Sequence, residues 1–462
     1  MTAQTAAAPD TPAHGVTYAE AFRTWARVAL LSFGGPAGQI AVMHRIIVEE
    51  KKWLGETRFL HGLNFCMLLP GPEAQQLAVY IGWLMHGVRG GLTAGILFVL
   101  PGFLAIMALS VIYAVYQEVA LVNALFFGLK AAVLAIVVEA VLRIGRRALK
   151  SRVMVALAVA AFIGIFFLDL PFPLIVFGAG LIGYVGNRVR PDLFTGGGGH
   201  GGGTHKGPEI GLIDKVGDVG RAERGPARAI RIAATHLVLW FGPIVGLALV
   251  FGWDSIFVQQ GEFFAKMAVV TFGGAYAVLA YVAQEAVQGF GWLTAREMLD
   301  GLAMAETTPG PLIMVLQFVG FMGAYRNPAP LDPLSAGLLA SVVTTWTTFV
   351  PCFLWIFLFA PYLEALRENK ALGAALAAIT AAVVGVILNL AVWFALNVVF
   401  AKVGTVELGW LRLYVPSWSS LDWAALGLAL LAMAAMFWWR LGMIVTLAGA
   451  AALGVAYYFV IT

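Results

Sequence analysis

One stretch of this chain occurs twice. Ser32-Phe33-Gly34-Gly35-Pro36 leads to Trp53-Leu54 and then to Pro70-Gly71-Pro72, while Thr271-Phe272-Gly273-Gly274 leads to Trp292-Leu293 and then to Pro309-Gly310-Pro311. Each pair lies 239 positions apart without a gap, and 13 of the 41 aligned positions from 32 to 72 are identical. Glycine and proline in such clusters break helices. Both copies lie in apolar sequence, where a broken helix leaves backbone groups that need new partners. Matching breaks in the two halves of a membrane chain point to a transport site.

The membrane assignment follows from composition. Of 462 residues, 61% are hydrophobic and 12% charged, with a mean hydropathy of +0.86, against about 25% charged in a soluble domain. Apolar runs of about 20 residues recur, long enough to cross the hydrocarbon core. The expected fold is an all-α polytopic membrane protein. The net charge of +4 then bears on topology and not on nucleic acid. Cys66 and Cys352 lie far apart in apolar segments without CxxC spacing, which reads as buried packing instead of a disulfide or metal pair.

The chain divides into residues 1–17, a polar, disordered cytoplasmic tail without a signal-peptide core; 18–187, a first repeat; 188–231, a basic Gly/His-rich cytoplasmic linker; and 232–462, an extra helix plus the second repeat. His200 and His205 sit on a glycine string, which makes a flexible linker and not a preorganised metal site. Nine full spans are expected, at about 92–116, 119–142, 153–168, 172–185, 233–251, 336–359, 372–400, 423–439 and 443–459. Four shorter elements, 18–44, 59–86, 263–282 and 298–325, surround the breaks as hairpin-like or re-entrant helices. The loop after Trp53-Leu54 and its approach carry His44, Arg45, Lys51, Lys52 and Arg58, whereas the equivalent 284–297 has one arginine, Arg296. Arg143, Arg146, Arg147, Lys150 and Arg152 mark a further cytoplasmic loop. This asymmetry, with an extra helix between the halves, reads as two inverted-topology repeats with broken or re-entrant helices at the Gly-Gly-Pro and Pro-Gly-Pro motifs.

Taken together, the Ser32–Pro36 run with its following Gln39, the Trp53-Leu54 pair, Pro70-Gly71-Pro72 and Thr308-Pro309-Gly310-Pro311 resemble the chromate ion transporter family, in its long-chain form with two homologous halves. The resemblance covers nearly the whole chain. It implies export of chromate from the bacterial cytoplasm across the inner membrane, with sulfate as the close analogue. The expected partners are the anion, the lipid bilayer and a second copy in a homodimer. The second copy departs from the first, with Ala275 in place of Pro36 and Val278 in place of Gln39, so an equivalent anion site there is not expected.

Chromate is a tetrahedral dianion that only accepts hydrogen bonds at neutral pH. A broken helix offers it free N–H groups and the positive end of a dipole. Gly34, Gly35 and Gly71 let backbone approach a ligand, and Pro36 and Pro72 suit the first turn of a restarted helix; Gly273, Gly274, Pro309, Gly310 and Pro311 repeat the arrangement. Packing kinks are the plainer reading. Gln39, Gln75, Gln76, Ser32 and Thr308 are candidate side-chain donors, with Pro70 beside them; Thr271 and Thr307 offer hydroxyls as well. Structural bonding between helices is the plainer reading of each.

Lys130 stands mid-span among apolar residues, and an intramembrane lysine is a functional candidate by default. Glu139 lies nine residues on, about 13 Å along the axis and out of direct pairing range; a structural ion pair to another helix is the alternative. Arg23 and Arg27, four apart on one face, and Arg45 are entrance or gating candidates, or mark the cytoplasmic end. Glu73 and Glu306 abut the Pro-Gly-Pro motifs and are proton-carrier candidates, or helix N-terminal charges. No GxxxxGK[ST] sequence for ATP is present. A sulfate or other oxyanion carrier is the rival transport reading. A membrane enzyme such as a chromate reductase would need a catalytic cluster, and the seven histidines are scattered. No catalytic residue, metal or cofactor is expected.

Overall fold

The two breaks of each copy divide the helices where the glycines and prolines fall. The protein is described here from a computed structural model, which covers residues 14–33, 35–116, 119–194, 210–216, 225–272, 275–362 and 370–461. Helix α1 (Tyr18–Leu31) opens on Thr17, whose side chain accepts from the Glu20 N–H. It stops at Ser32, and the chain restarts as α2 (Gly35–Met43). A π-helical segment (His44–Glu50) and α3 (Glu56–Cys66) lead to the Pro70-Gly71-Pro72 break. Helix α4 (Glu73–Tyr116) follows and is kinked at His86 and Gly87, where Gly87 takes φ +59°. α5 (Ala120–Ala148), α6 (Arg152–Phe166), α7 (Phe172–Val189) and the short α8 (Pro191–Phe194) complete this half.

α9 (Pro226–Phe251) is the extra helix. The second half then repeats the order: α10 (Ile256–Val270), α11 (Ala275–Ala283), a π-helical segment (Gln284–Gly289), α12 (Ala295–Thr307), the break, α13 (Val315–Arg326) and α14 (Pro333–Phe359). α13 and α14 are what the kink of α4 becomes when it opens into a loop. Asp332 caps α14, and the Ser335 hydroxyl and N–H hold its carboxyl below the usual range. α15 (Lys370–Val399), α16 (Trp423–Phe437) and α17 (Met443–Ile461) close the chain.

The duplication extends to single hydrogen bonds. Lys51 and Trp53 donate their N–H groups to Ile46 and Ile47 at 2.9 Å each, and 239 positions on, Phe290 and Trp292 donate to Glu285 and Ala286 at 2.7 and 2.8 Å. The halves interlock through small residues that let backbones touch. A β-carbon at Gly128 of α5 would lie 1.9 Å from the carbonyl oxygen of Ala450 in α17, and one at Gly183 of α7 would lie 2.5 Å from that of Ala374 in α15.

Among the described residues, seven helices are long and apolar enough to cross a membrane: α4, α5, α7, α9, α14, α15 and α17. Two of the nine expected spans, 153–168 and 423–439, appear as α6 and α16 with 15 residues each, about 22 Å long, against about 30 Å of hydrocarbon. No element is expected from sequence for the stretch 401–422. It holds an antiparallel hairpin, β1 (Val403–Leu408) with β2 (Leu411–Pro416), in the register Thr405 to Tyr414. Gly409 turns it with φ +65°, and the Arg412 N–H fixes it to the Phe167 carbonyl at 2.7 Å.

Part of the expected flexible linker is docked. Leu212 and Ile213 donate N–H groups to the carbonyls of Lys52 and Trp53 at 3.0 Å, and Ile213 is fully buried. Asp214 accepts from the Gly55 and Gly211 N–H groups at 2.7 and 2.8 Å and pairs with Arg58 at 3.1 Å. An isoleucine with a place in the core and a carboxylate with three donors outweigh the loose composition around them. His14, read as tail, is buried, with its ring 2.7 Å from the Met85 carbonyl. His200 and His205 lie outside the described residues.

Candidate substrate site

The four breaks meet in a cross. The Gly71 N–H donates to the Thr271 carbonyl at 2.9 Å, and the Gly310 N–H donates to the Ser32 carbonyl at 2.8 Å. Each Pro-Gly-Pro loop of one copy is thus bonded to the Gly-Gly break of the other. Gly71 and Gly310 take φ +121° and +102°, a region that favours glycine. Each loop is backed by a proline-bearing helix from the opposite half. A β-carbon at Gly310 would lie 2.9 Å from the Gly102 Cα, next to Pro101 in α4, and one at Gly71 would lie 3.0 Å from the Cys352 Sγ, next to Pro351 in α14. Gly34, Gly273 and Gly274 lie outside the described residues; Pro36 falls in the first turn of α2, Pro72 immediately precedes α4, and Pro311 precedes a short 3-10 turn (Leu312–Met314).

Most candidate donors here hold the protein together. Gln39 donates its Nε2 to the Gly310 carbonyl at 2.6 Å, and Gln76 donates to the Pro70 carbonyl at 2.7 Å. Ser32 and Thr271, equivalent in the two copies, donate to the Val28 and Met267 carbonyls at 2.7 and 2.6 Å. Thr307 and Thr308 bond back to α12 in the same way.

Gln75 is different. It is fully buried in the first turn of α4, and neither its Nε2 nor its Oε1 has a hydrogen-bond partner among the described residues. A buried polar group left unpartnered costs about 1–3 kcal/mol. The first-turn N–H groups of a helix also lack intrahelical partners, and they carry the positive end of its dipole. An unused amide at such a helix start is suited to an acceptor-only anion. In the second copy the equivalent of Gln75 is Met314, and that of Gln76 is Val315.

Two buried acids on α12, Asp300 and Glu306, stand six residues and about 9 Å apart along its axis, and each has polar partners from other helices. Lys130 on α5 pairs with Asp300 on α12 at 3.1 Å, and Tyr113 on α4 donates to the other Asp300 oxygen at 2.9 Å. Asp300 is 5% exposed and Lys130 20%. Glu139 pairs instead with Arg143, at 3.4 Å. Glu306 is buried and accepts from the Tyr276 hydroxyl at 2.7 Å through one oxygen; its other oxygen has no hydrogen-bond partner among the described residues. That Tyr276 hydroxyl lies 3.8 Å from where a β-carbon of Gly35 would stand, so the acid sits close to the start of α2. Glu73 is the first residue of α4, half-buried.

The arginines lie elsewhere. Arg27 pairs with Glu50 at 2.7 Å, Arg45 approaches the same carboxylate at 3.6 Å, and Arg23 is exposed on α1. Nearby, Glu20 pairs with Lys51 at 2.8 Å. These charges form a surface network and not part of the buried cross. Among the described residues no group of three or more His, Cys, Asp or Glu side chains has the arrangement of a metal site.

The pattern described as chromate transporter matches residues 19–184 and 258–455, both halves without the linker. The chain belongs to the chromate transporter family. A chromate transport protein of Pseudomonas aeruginosa is 32% identical over 380 residues, 80% of each chain. Another, of Cupriavidus metallidurans, is 28% identical over 394 residues, 82% of this chain and 84% of its own. An uncharacterized transporter of Methanocaldococcus jannaschii is 24% identical over 377 residues. No solved structure matches the chain.

In this chromate transporter family member, sequence reasoning had missed three residues of the buried region. Asp300 was the most legible, an acid between Met298-Leu299 and Gly301-Leu302 in an otherwise apolar stretch, where a charge needs a partner. Tyr113 and Tyr276 carried no such signal, because a tyrosine in a span is equally at home in packing or at the membrane interface.

Proposed function

We propose that this multi-pass membrane protein exports chromate from the cytoplasm across the bacterial plasma membrane as a secondary transporter. The observation that carries the reading is Gln75, a buried amide without a partner among the described residues at the start of a broken helix. The anion takes the Gln75 Nε2 and the first-turn N–H groups of α4. The names of the relatives from Pseudomonas aeruginosa and Cupriavidus metallidurans support chromate as that anion. A dianion leaving a cytoplasm held 100 mV negative gains about 4.6 kcal/mol, so export needs no ATP.

Lys130 serves as the switchable cation. In the present state it pairs with Asp300 across the two halves; an approaching dianion competes for it and loosens that contact, which couples substrate to movement of one half against the other. Glu306 is the proton carrier we favour over Glu73, because its second oxygen is buried without a partner among the described residues.

Two inverted repeats fit this mechanism. The first π segment is followed by Lys52, Trp53 and Gly55, which bond to the linker beyond α7. The second meets Asp169, just before α7, through Gln284. Asp169 lies at the N-terminal end of α7 and the linker leaves from its C-terminal end, 18 residues or about 27 Å away, which supports opposite orientations of the two segments. The basic loops at 143–152 and in the linker support a cytoplasmic N-terminus.

The test is radiolabelled chromate uptake into everted membrane vesicles under an inside-positive potential, with and without excess sulfate, beside Gln75→Leu. Uptake that follows the potential and collapses in the variant is the expected result. Uptake equal to that of empty vesicles would overturn the chromate reading, and the same assay with sulfate decides whether another oxyanion is the substrate.

A further inference from the structure

We propose that the protein carries a second oxyanion seat, at Arg412 beside the β-hairpin, and that the carboxylate of Asp169 occupies it at rest. Only the identity of the ligand rests on the transport reading above; the seat itself stands on geometry.

Arg412 is 14% exposed in a small pocket lined with Gln284, Gln288, Asn389, Trp393 and Tyr414. It donates one guanidinium nitrogen to the Gln288 Oε1 at 2.9 Å and pairs another with Asp169 at 2.8 Å, and its buried Nε has no hydrogen-bond partner among the described residues. Gln284 donates its Nε2 to the same Asp169 oxygen. One carboxylate oxygen therefore receives a guanidinium and an amide, the donors that a tetrahedral oxyanion asks for. Tyr414 supports the arrangement: its ring lies 5.2 Å from the guanidinium, and its hydroxyl accepts from Gln288 at 3.1 Å.

Asp169 is a displaceable occupant. Its side chain is 49% exposed, and its backbone at φ +51° is in a region that Asp and Asn adopt more readily than other residues with a β-carbon. Glu407 stands opposite Arg412 in the hairpin register, and no ion pair joins these two among the described residues. The repeat sharpens the point. Gln284 and Gln288 occupy the places that Arg45 and Glu49 hold in the first copy. The second copy thus presents two neutral amides at these two positions, with the carboxylate of Glu285 next to them in sequence and near Asp169. A soluble dianion such as chromate or sulfate displaces Asp169 and is held in this pocket. A lipid phosphate offers the same oxygens, and the experiment separates the two.

The experiment is phenylglyoxal modification of Arg412 in the purified full-length protein in detergent, followed by peptide mass spectrometry. Modification is measured with sulfate, with chloride at equal ionic strength, and with anionic lipid alone. Sulfate should slow it and chloride should not. Asp169→Asn, which tolerates the left-handed backbone, should lower the half-protecting sulfate concentration about fivefold by removing the exposed competitor. Equal protection by sulfate and chloride, no protection by either, or protection by lipid alone would overturn the proposal. Gln75→Leu separates the two readings: lost chromate flux with sulfate protection intact at Arg412 upholds this seat independently of the central site. Sulfate protection in a protein that moves no chromate upholds the seat while the transport reading fails.

Discussion

Lys130 and Asp300 meet at 3.1 Å across the two halves of the protein, one on α5 and the other on α12. Breaking a buried pair by removing one partner costs about 3–5 kcal/mol, because the other charge is stranded, whereas replacing both with apolar residues is often neutral. Lys130→Ala should therefore lower the thermal unfolding midpoint in detergent, and Lys130→Met with Asp300→Leu should recover most of the loss. Chromate flux should stay abolished in the double variant. Restored flux there would remove both charges from the mechanism.

Gln75→Leu should separate stability from function in the opposite sense. Replacing an unpartnered buried amide with an apolar group of similar size removes a penalty of about 1–3 kcal/mol. The variant should unfold at a higher temperature than the parent and transport no chromate. A lower midpoint would mean that Gln75 has a structural partner.

Gly310→Ala should be worse than Gly71→Ala, although the motif is the same. Both sites carry positive φ, which costs about 1–2 kcal/mol with a β-carbon. At Gly310 the new carbon would lie 2.9 Å from the Gly102 Cα and 3.1 Å from its nitrogen, all backbone. At Gly71 its nearest neighbour, at 2.8 Å, is the Gln76 Nε2, the end of a flexible side chain. Thermal midpoints should order parent, Gly71→Ala, Gly310→Ala.

Asp214→Ala should release the docked linker without unfolding the membrane part. It leaves the Gly55 and Gly211 N–H groups and Arg58 without their shared acceptor, a local loss of about 1–3 kcal/mol. Limited trypsin cleavage near Lys215 should speed up while the global midpoint barely moves. Unchanged cleavage would show that the Leu212 and Ile213 contacts hold the segment without Asp214.

Much of this was legible in the chain because a repeat is a one-dimensional signal. The 239-residue offset marked both breaks, and the structure has them where the glycines and prolines fall. Lys130 stood out because charge in apolar sequence is costly. The hairpin at 403–416 was harder, since a short strand pair beside long apolar helices has weak periodicity. The 15-residue lengths of α6 and α16 were also hidden, because apolar residues run on past the helix ends.

The sequence by itself determined the membrane class, the duplication, the positions of the breaks and the family resemblance, since each follows from residue type and spacing along the chain. Only the tertiary structure decided that Ser32 binds Gly310, that Gln39 and Gln76 are already bonded while Gln75 has no hydrogen-bond partner among the described residues, and that Asp300 answers Lys130. The reason is physical. Whether a buried donor is free depends on which acceptors the fold brings within about 3 Å, and those acceptors lie up to 271 positions away, as for Gln39 and Gly310.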